Sequence, residues 1–443
     1  MTVEIFSVGG FNECGRNCVA VKVDDEVILL DLGLNLEPYI NYTNNEDVKD
    51  INPEELIAVN AVPDISKIKN LHRKVKAIVA GHAHLDHIGA IPYLGGNFKA
   101  PVVCTAFTAE VLKSIFKDEN LKMHNKIKVL NANSCMKISD KVTIEFVNVT
   151  HSIPQTVIVV IHTPDGAVVY TNDFKFDLNP IIGRKPNFKR LKQIGKEGVL
   201  ALFADSTRSG LDKKTPSESV AKELLKDVLL GTSSEGKTII VTTFASHLAR
   251  LKSIILFGKK LNRKILFLGR SLSRYVQAGE NLDLINFSKD VEILKFGKQI
   301  KYKLQNLQGK LDKYLLVVTG HQGELNATLS KMADGRIPFK FKKGDHVVFS
   351  CEVIPTETNK ANREVLENKL RNYGVRVFKD IHVSGHGAKE DIRDLIIYLK
   401  PKNILPSHGC IEMRKPTVSL AREMGYSDEQ IHLLHNGEKL KLS

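Results

Sequence analysis

This sequence predicts a layered α/β protein, and three observations lead there. Short β-branched runs alternate with segments of helical period along the whole chain. At 443 residues the chain exceeds one compact core, so two or three domains are expected. Asp31, His82, His151, Asp173, Asp205 and His408 each fall at or just beyond the end of a strand-like run. Residues at the same ends of neighbouring strands converge on one rim of a sheet, where α/β proteins place their sites.

In chain order, strands are expected at residues 27–32, 75–80, 142–149, 157–161, 167–171 and 199–204, all rich in β-branched and aliphatic side chains. Between them and the next strand, Thr215-Pro216-Ser217-Glu218 reads as a capping box with proline at the first helical position. Val220, Leu224, Leu225, Val228 and Leu229 follow it at a 3.6-residue period. Further strands are expected at residues 238–243, 265–268, 315–319, 346–350, 375–378 and 403–405. An amphipathic helix over residues 388–399 ends before Pro401.

Hydrophobic content of 42% and charged content of 26% fit a folded, soluble chain. Apolar runs such as Val157-Ile158-Val159-Val160-Ile161 have strand length, far short of a membrane span. The start, Met1-Thr2-Val3-Glu4-Ile5-Phe6, lacks the order of a signal peptide, so a cytoplasmic protein without a membrane partner is expected. Six scattered cysteines form no C-x-x-C pair and no disulfide framework; Cys14 and Cys18 are expected as packed thiols in a turn. A net charge of +14 and a pI near 9.3 favour a polyanionic partner.

The most telling segment is His82-Ala83-His84-Leu85-Asp86-His87. Imidazole and carboxylate together suit zinc, manganese or iron and suit copper(I) or calcium poorly. Four such groups within six residues cannot all address one ion. Alternate side chains of a tight loop diverge, so His82 and His84 can face one site while Asp86 and His87 face a second. That pattern points to a two-metal hydrolase.

Asp31, the His82–His87 run, His151 and Asp173, in that order and spacing, resemble the metallo-β-lactamase superfamily. The resemblance implies its αββα sandwich. Asp205-Ser206-Thr207-Arg208, a long α/β stretch and then His382-Val383-Ser384-Gly385-His386-Gly387 resemble the β-CASP group, in which an α/β domain is inserted into the hydrolase. Thr171-Asn172-Asp173-Phe174-Lys175-Phe176-Asp177, Thr243-Phe244-Ala245-Ser246-His247, Gly269-Arg270-Ser271 and Thr319-Gly320-His321-Gln322-Gly323-Glu324 narrow the resemblance to ribonuclease J, in its shorter archaeal form. The implied domains are residues 1–206 and 381–443 for the hydrolase and 207–380 for the β-CASP insert. Two departures stand out: Thr356-Glu357-Thr358-Asn359 replaces a glycine-containing turn after Ile-Pro, and Cys410 takes a place where an acidic residue is common.

From the resemblance come residue roles. His82, His84 and His151 would hold one ion and Asp86, His87 and His408 a second, with Asp173 bridging. The expected cofactor is two zinc ions per chain, with manganese as the substitute. The pair would lower the pKa of a shared water and clamp the attacked phosphate. Asp31 would orient a ligand imidazole through its far N–H. Asp86 belongs to the catalytic set, and Asp205 with His386 would form an acid–base pair. His382, Ser384, Gly385, Gly387, Ser246, His247, Arg270 and Ser271 are candidates for RNA phosphate contacts. The implied activity is 5′→3′ exonucleolytic trimming of single-stranded RNA from a 5′-monophosphate end, with possible internal cleavage, by a homodimer. The alternatives are an RNA 3′-end-processing endonuclease of the cleavage and polyadenylation specificity factor type and a non-catalytic RNA-binding paralogue. Small-molecule hydrolysis fits the long insert and basic balance poorly.

Overall fold

Every strand anticipated above forms, and the sheets they build place the site. The computed structural model describes residues 2–43, 51–354 and 356–442, in two units. Unit 1 comprises residues 1–178, 183–215 and 385–443; unit 2 comprises 179–182 and 216–384.

Unit 1 carries two sheets. The first runs Lys439–Leu442, Val3–Gly9, Cys18–Val23, Glu26–Leu30, Val75–Ala80, Val102–Cys104 and Ile127–Val129 in spatial order. Its pairing is antiparallel up to Glu26–Leu30 and parallel beyond. The second runs Asn403–Ser407, Val199–Asp205, Gly166–Tyr170, Val157–Thr163, Thr143–Asn148 and Ser134–Lys137. Alternation along each strand sends every second side chain into the space between the sheets. There Ile28, Leu30, Val79, Phe146, Val159 and Phe203 pack into one cluster drawn from both. The outer face of the second sheet packs Ile158, Val169 and Leu202 against Leu191, Ile194, Leu395 and Leu399 of helices Phe188–Glu197 and Lys389–Leu399. Helix Ala106–Asp118 contacts the edge strand of the first sheet. The result is a helix–sheet–sheet–helix sandwich.

Unit 2 holds one sheet of six parallel strands in the order Val291–Leu294, Lys264–Leu268, Tyr314–Val318, Ile239–Thr242, His346–Phe349 and Arg376–Phe378. Parallel strands covered on both faces read as continuous apolar runs, as Ile239-Ile240-Val241 does. Among the described residues, no helix is long and apolar enough to cross a membrane.

Two expectations need correction, and one departure from the family pattern finds its structure. The helix after Thr215 spans Glu218–Gly231 and its cap is Ser217, whose side chain accepts from the Ser219 amide. Pro216 therefore lies outside the helix, and the Thr215 hydroxyl is engaged elsewhere, as described below. Cys18 begins a strand rather than sitting in a turn, and Cys14 is exposed. Thr356 caps helix Glu357–Asn372 by accepting from the Asn359 amide, so the segment in place of the glycine turn is a helix start; the neighbouring Pro355 lies outside the described residues.

Candidate metal centre

The strand-end residues of unit 1 meet. Asp31 follows strand Glu26–Leu30, His82 and His84 follow Val75–Ala80, and the short helix Leu85–Ile88 carries Asp86 and His87. His151, Asp173 and His408 follow Thr143–Asn148, Gly166–Tyr170 and Asn403–Ser407, and Asp205 closes Val199–Asp205. Asp31 and His408 adopt left-handed backbone, φ 60° and 59°, which costs roughly 1–3 kcal/mol at a non-glycine residue and collects at functional turns. Gly33 is demanded by proximity, because a Cβ there would lie 1.6 Å from the Asp86 carbonyl oxygen.

Two donor clusters share Asp173. In one, His84 Nδ1 lies 3.2 Å from His82 Nε2 and 3.1 Å from His151 Nε2, and both of those nitrogens are 3.4 Å from Asp173 Oδ2. In the other, Asp173 Oδ1 is 3.2 Å from His87 Nε2 and 3.3 Å from His408 Nε2. Asp86 Oδ2 is 3.5 Å from His87 Nε2 and 3.7 Å from His408 Nε2. Ligands held tetrahedrally at ~2.0–2.1 Å from an ion stand roughly 3.3–3.4 Å from one another. The observed edges bracket that value, so the residues present fit a divalent ion in each cluster.

Electrostatics agree at the first cluster. Burial lowers the pKa of His82 and His151 and pushes that of His84 down to about 3, leaving three neutral imidazoles with lone pairs to offer. Burial works against charging His87, but the carboxylates of Asp173, Asp86 and Asp31 outweigh it and hold its pKa well above the ordinary value. Burial would likewise raise Asp86 and Asp173, and the surrounding imidazoles hold both low instead, Asp86 mainly through His87 and Asp173 through His408, His87 and His386. Asp173 Oδ1 is buried and makes no hydrogen bond, an acceptor that a cation would satisfy.

Further groups orient these ligands. His87 Nδ1 donates to Asp31 Oδ2 at 2.7 Å, and the buried Tyr170 hydroxyl donates to the same oxygen at 2.8 Å. His408 Nδ1 donates to Asn17 Oδ1 at 2.9 Å, while Asn17 Nδ2 donates to the Asp86 carbonyl at 3.0 Å. His151 Nδ1 donates to the Gly385 carbonyl at 2.7 Å, and a Cβ on Gly385 would meet the His151 ring at 2.8 Å. Asn17 and Tyr170 were not anticipated. An asparagine in the glycine-containing segment before Cys18 reads as a turn former, and a strand-end tyrosine as core.

At the edge of the clusters, His386 Nδ1 donates to Asp205 Oδ2 at 2.8 Å and its Nε2 lies 3.9 Å from Asp173 Oδ2. Burial alone would lower the His386 pKa; the charges of Asp205 and Asp173 and the bond to Asp205 raise it to about 9.

The proposed phosphate contacts divide between the units. Gly385 and Gly387 are buried in unit 1. In unit 2, Ser246 and His247 are buried, and His247 caps helix Leu248–Lys260 with its Nδ1. Its Nε2 is 3.4 Å from Glu218, which also takes the fully buried Arg250 through two bonds of 2.6 and 2.9 Å. Arg250 reaches on to the Ser350 and Ile381 carbonyls, with His382 Nδ1 3.4 Å away. Arg270, the first residue of helix Arg270–Glu280, is exposed, and Ser271, His382 and Ser384 are half-buried.

Similarity to known proteins follows the same division of the chain. Residues 56–185 match the beta-lactamase superfamily domain, 236–369 the ribonuclease J beta-CASP domain, and 372–431 the Zn-dependent metallo-hydrolase RNA specificity domain. The chain is 43% identical to ribonuclease J of Methanocaldococcus jannaschii over 99% of both chains. It is 42% identical to ribonuclease J of Pyrococcus abyssi over 99% of this chain and 97% of that one. Ribonuclease J 1 of Streptococcus pyogenes is 31% identical over 100% of this chain and 74% of its own length. A crystal structure of a protein of unknown function from Enterococcus faecalis V583 shares the fold, with a TM-score of 0.64 at 17% identity and full coverage of both chains.

Proposed function

The chain belongs to the ribonuclease J family, and we propose that it is a metal-dependent ribonuclease that shortens single-stranded RNA from the 5′ end, one nucleotide at a time, with preference for a 5′-monophosphate. The observation that carries this reading is the convergence of His82, His84, His151, Asp86, His87 and His408 around Asp173, with the Asp205–His386 pair beside them.

In this reading His82, His84, His151 and Asp173 hold one divalent ion, and Asp86, His87, Asp173 and His408 the other. Zinc matches the nitrogen-rich donor set, and manganese tolerates it. When bound, the ions supply Lewis-acid activation of water and neutralise charge on the scissile phosphate. The protein's own residues do the rest. Asp31 and Asn17 fix the ring orientation and tautomer of His87 and His408. Asp205 holds His386 Nδ1, so that Nε2 carries the mobile proton. As water oxygen bonds to phosphorus and the P–O3′ bond breaks, Nε2–H passes its proton to the leaving 3′-oxygen. The products are a nucleoside 5′-monophosphate and an RNA shorter by one residue with a new 5′-phosphate.

Residues 1–206 and 381–443 are assigned to the hydrolase and 207–380 to the β-CASP insert. For the RNA backbone, Arg270, Ser271, His382 and Ser384 are the main contacts; Ser246, His247, Gly385 and Gly387 act through backbone placement. The enzyme is proposed to work as a cytoplasmic homodimer.

A time course on end-labelled RNA tests the reading. Mononucleotide products, formed faster from 5′-monophosphate than from 5′-triphosphate RNA, are expected. Internal fragments as the first products would favour an endonuclease of the 3′-end-processing type, and RNA binding without cleavage a non-catalytic paralogue. His386→Ala should lose roughly 10²–10⁴-fold in kcat while keeping metal and RNA affinity.

A further inference from the structure

We infer that Thr215 is a positioning residue for the acid His386, an inference that rests on the acid role just proposed. The helix signal in the sequence would commit the Thr215 hydroxyl to capping. It is used instead across 171 positions of sequence: Oγ1 donates to the His386 carbonyl at 2.8 Å and accepts from the Ala388 amide at 2.9 Å. One buried hydroxyl therefore clamps both ends of the 386–388 segment, and Thr215 is only 5% exposed.

The clamp is itself held. Asp391, with no exposed surface, accepts the Thr215 amide at 2.8 Å and the Ala388 amide at 3.1 Å on Oδ2, and the Phe176 amide at 3.3 Å on Oδ1. One carboxylate thus ties together the turn that follows Asp173, the segment that follows His386, and Thr215. Pro216 restricts Thr215 to extended backbone, which narrows the directions its hydroxyl can take. On the other side of the acid, the Gly385 carbonyl is pinned by His151 Nδ1. Contacts that fix the plane of the His386 ring include the bond to Asp205, the edge-on His151 ring at 4.9 Å and the stacked His408 ring at 5.8 Å between centroids. Its backbone has no strand or helix to hold it, since residues 381–386 lie outside regular structure. Thr215 supplies that hold at the His386 carbonyl, beside the bond from the Gly387 amide to the Phe174 carbonyl. A group that must deliver a proton to one oxygen tolerates little displacement.

The test uses Thr215→Val, which keeps the shape and deletes the hydroxyl, Thr215→Ser, which restores it, and His386→Ala. Each is assayed on single-stranded RNA and on the same RNA whose first linkage carries sulfur in place of the bridging 3′-oxygen, a leaving group that needs no proton. Thr215→Val should lose about ten- to a hundred-fold in kcat on ordinary RNA, with KM and metal content unchanged. On the sulfur-linked RNA it should regain most of the wild-type rate, and Thr215→Ser should be near wild type on both. If Thr215→Val does not accumulate as folded protein, Thr215→Ala carries the same readout. The inference is overturned if the Val variant is within two-fold of wild type on ordinary RNA, or equally impaired on both substrates, while His386→Ala discriminates between them. If His386→Ala shows no leaving-group dependence, the acid role itself fails and Thr215 falls with it.

Discussion

The two donor clusters of unit 1 share a carboxylate and draw on nearly the same chemistry, yet they are supported differently. Around His87 and His408, each far ring nitrogen meets a side chain, Asp31 in one case and Asn17 in the other. Tyr170 adds a third layer behind Asp31. Around the other cluster, the far nitrogen of His151 meets only a backbone carbonyl, and His82 Nδ1 is buried without a hydrogen-bond partner. A carboxylate behind an imidazole makes the ring a more basic ligand and holds it in place; a carbonyl does the second and little of the first. The Asp86–His87–His408 cluster should therefore retain its ion longer under a chelator. The His82–His84–His151 cluster should be the first to empty.

The largest effect expected is the collapse of this difference. Asp173→Ala removes the one group common to both clusters, so metal analysis should find neither ion and end-labelled RNA should remain uncut. Should the variant keep one ion per chain at wild-type affinity, the clusters would be independent and Asp173 would not bridge them.

Asp31→Ala is the sharper cut, because it touches one cluster only. It should weaken one ion by roughly 10–100-fold and leave the other unchanged, read by chelator titration against metal content. It also strands the Tyr170 hydroxyl and His87 Nδ1 in a dry interior, which costs about 1–3 kcal/mol per unsatisfied group and should lower Tm. Equal weakening of both ions would contradict the separation of the clusters.

What could be read in advance follows the range of the interactions involved. The His82–His87 run is local, so its residue types alone suggest a metal centre, and its loop spacing already divides it between two donor clusters. Asp31, His151, Asp173 and His408 needed the strand-end rule, which held because the strands carrying them, such as Glu26–Leu30 and Gly166–Tyr170, are buried along four of their five residues and read as apolar runs. Strands Val102–Cys104 and Ile127–Val129 are three residues each, too short for any period to show. The pairing of Val3–Gly9 with Lys439–Leu442 joins the chain's two extremities, which no local pattern encodes. Thr215 and Ser217 both look like helix caps, and only a bond to His386 decides between them. Asn17 was invisible for the same reason: its partners, Asp86 and His408, are 69 and 391 positions away.

Asn17→Ala should give the smallest effect of the three. Its oxygen orients His408 but carries no net charge, so the ring loses alignment rather than basicity. The change also removes the Nδ2 bond to the Asp86 carbonyl, although the Asn17 amide keeps its own bond to that oxygen at 3.1 Å and so preserves the loop. The expected loss is about ten-fold in affinity for the same ion that Asp31→Ala weakens, at the low end of what such supports contribute. The order of the two variants is what matters. If Asn17→Ala weakens that ion more than Asp31→Ala does, carboxylate charge is not what distinguishes the clusters. Alignment of His408 against Asp173 would then be the controlling term, and the His82–His84–His151 cluster, whose His151 is firmly aligned by Gly385, would have no reason to empty first.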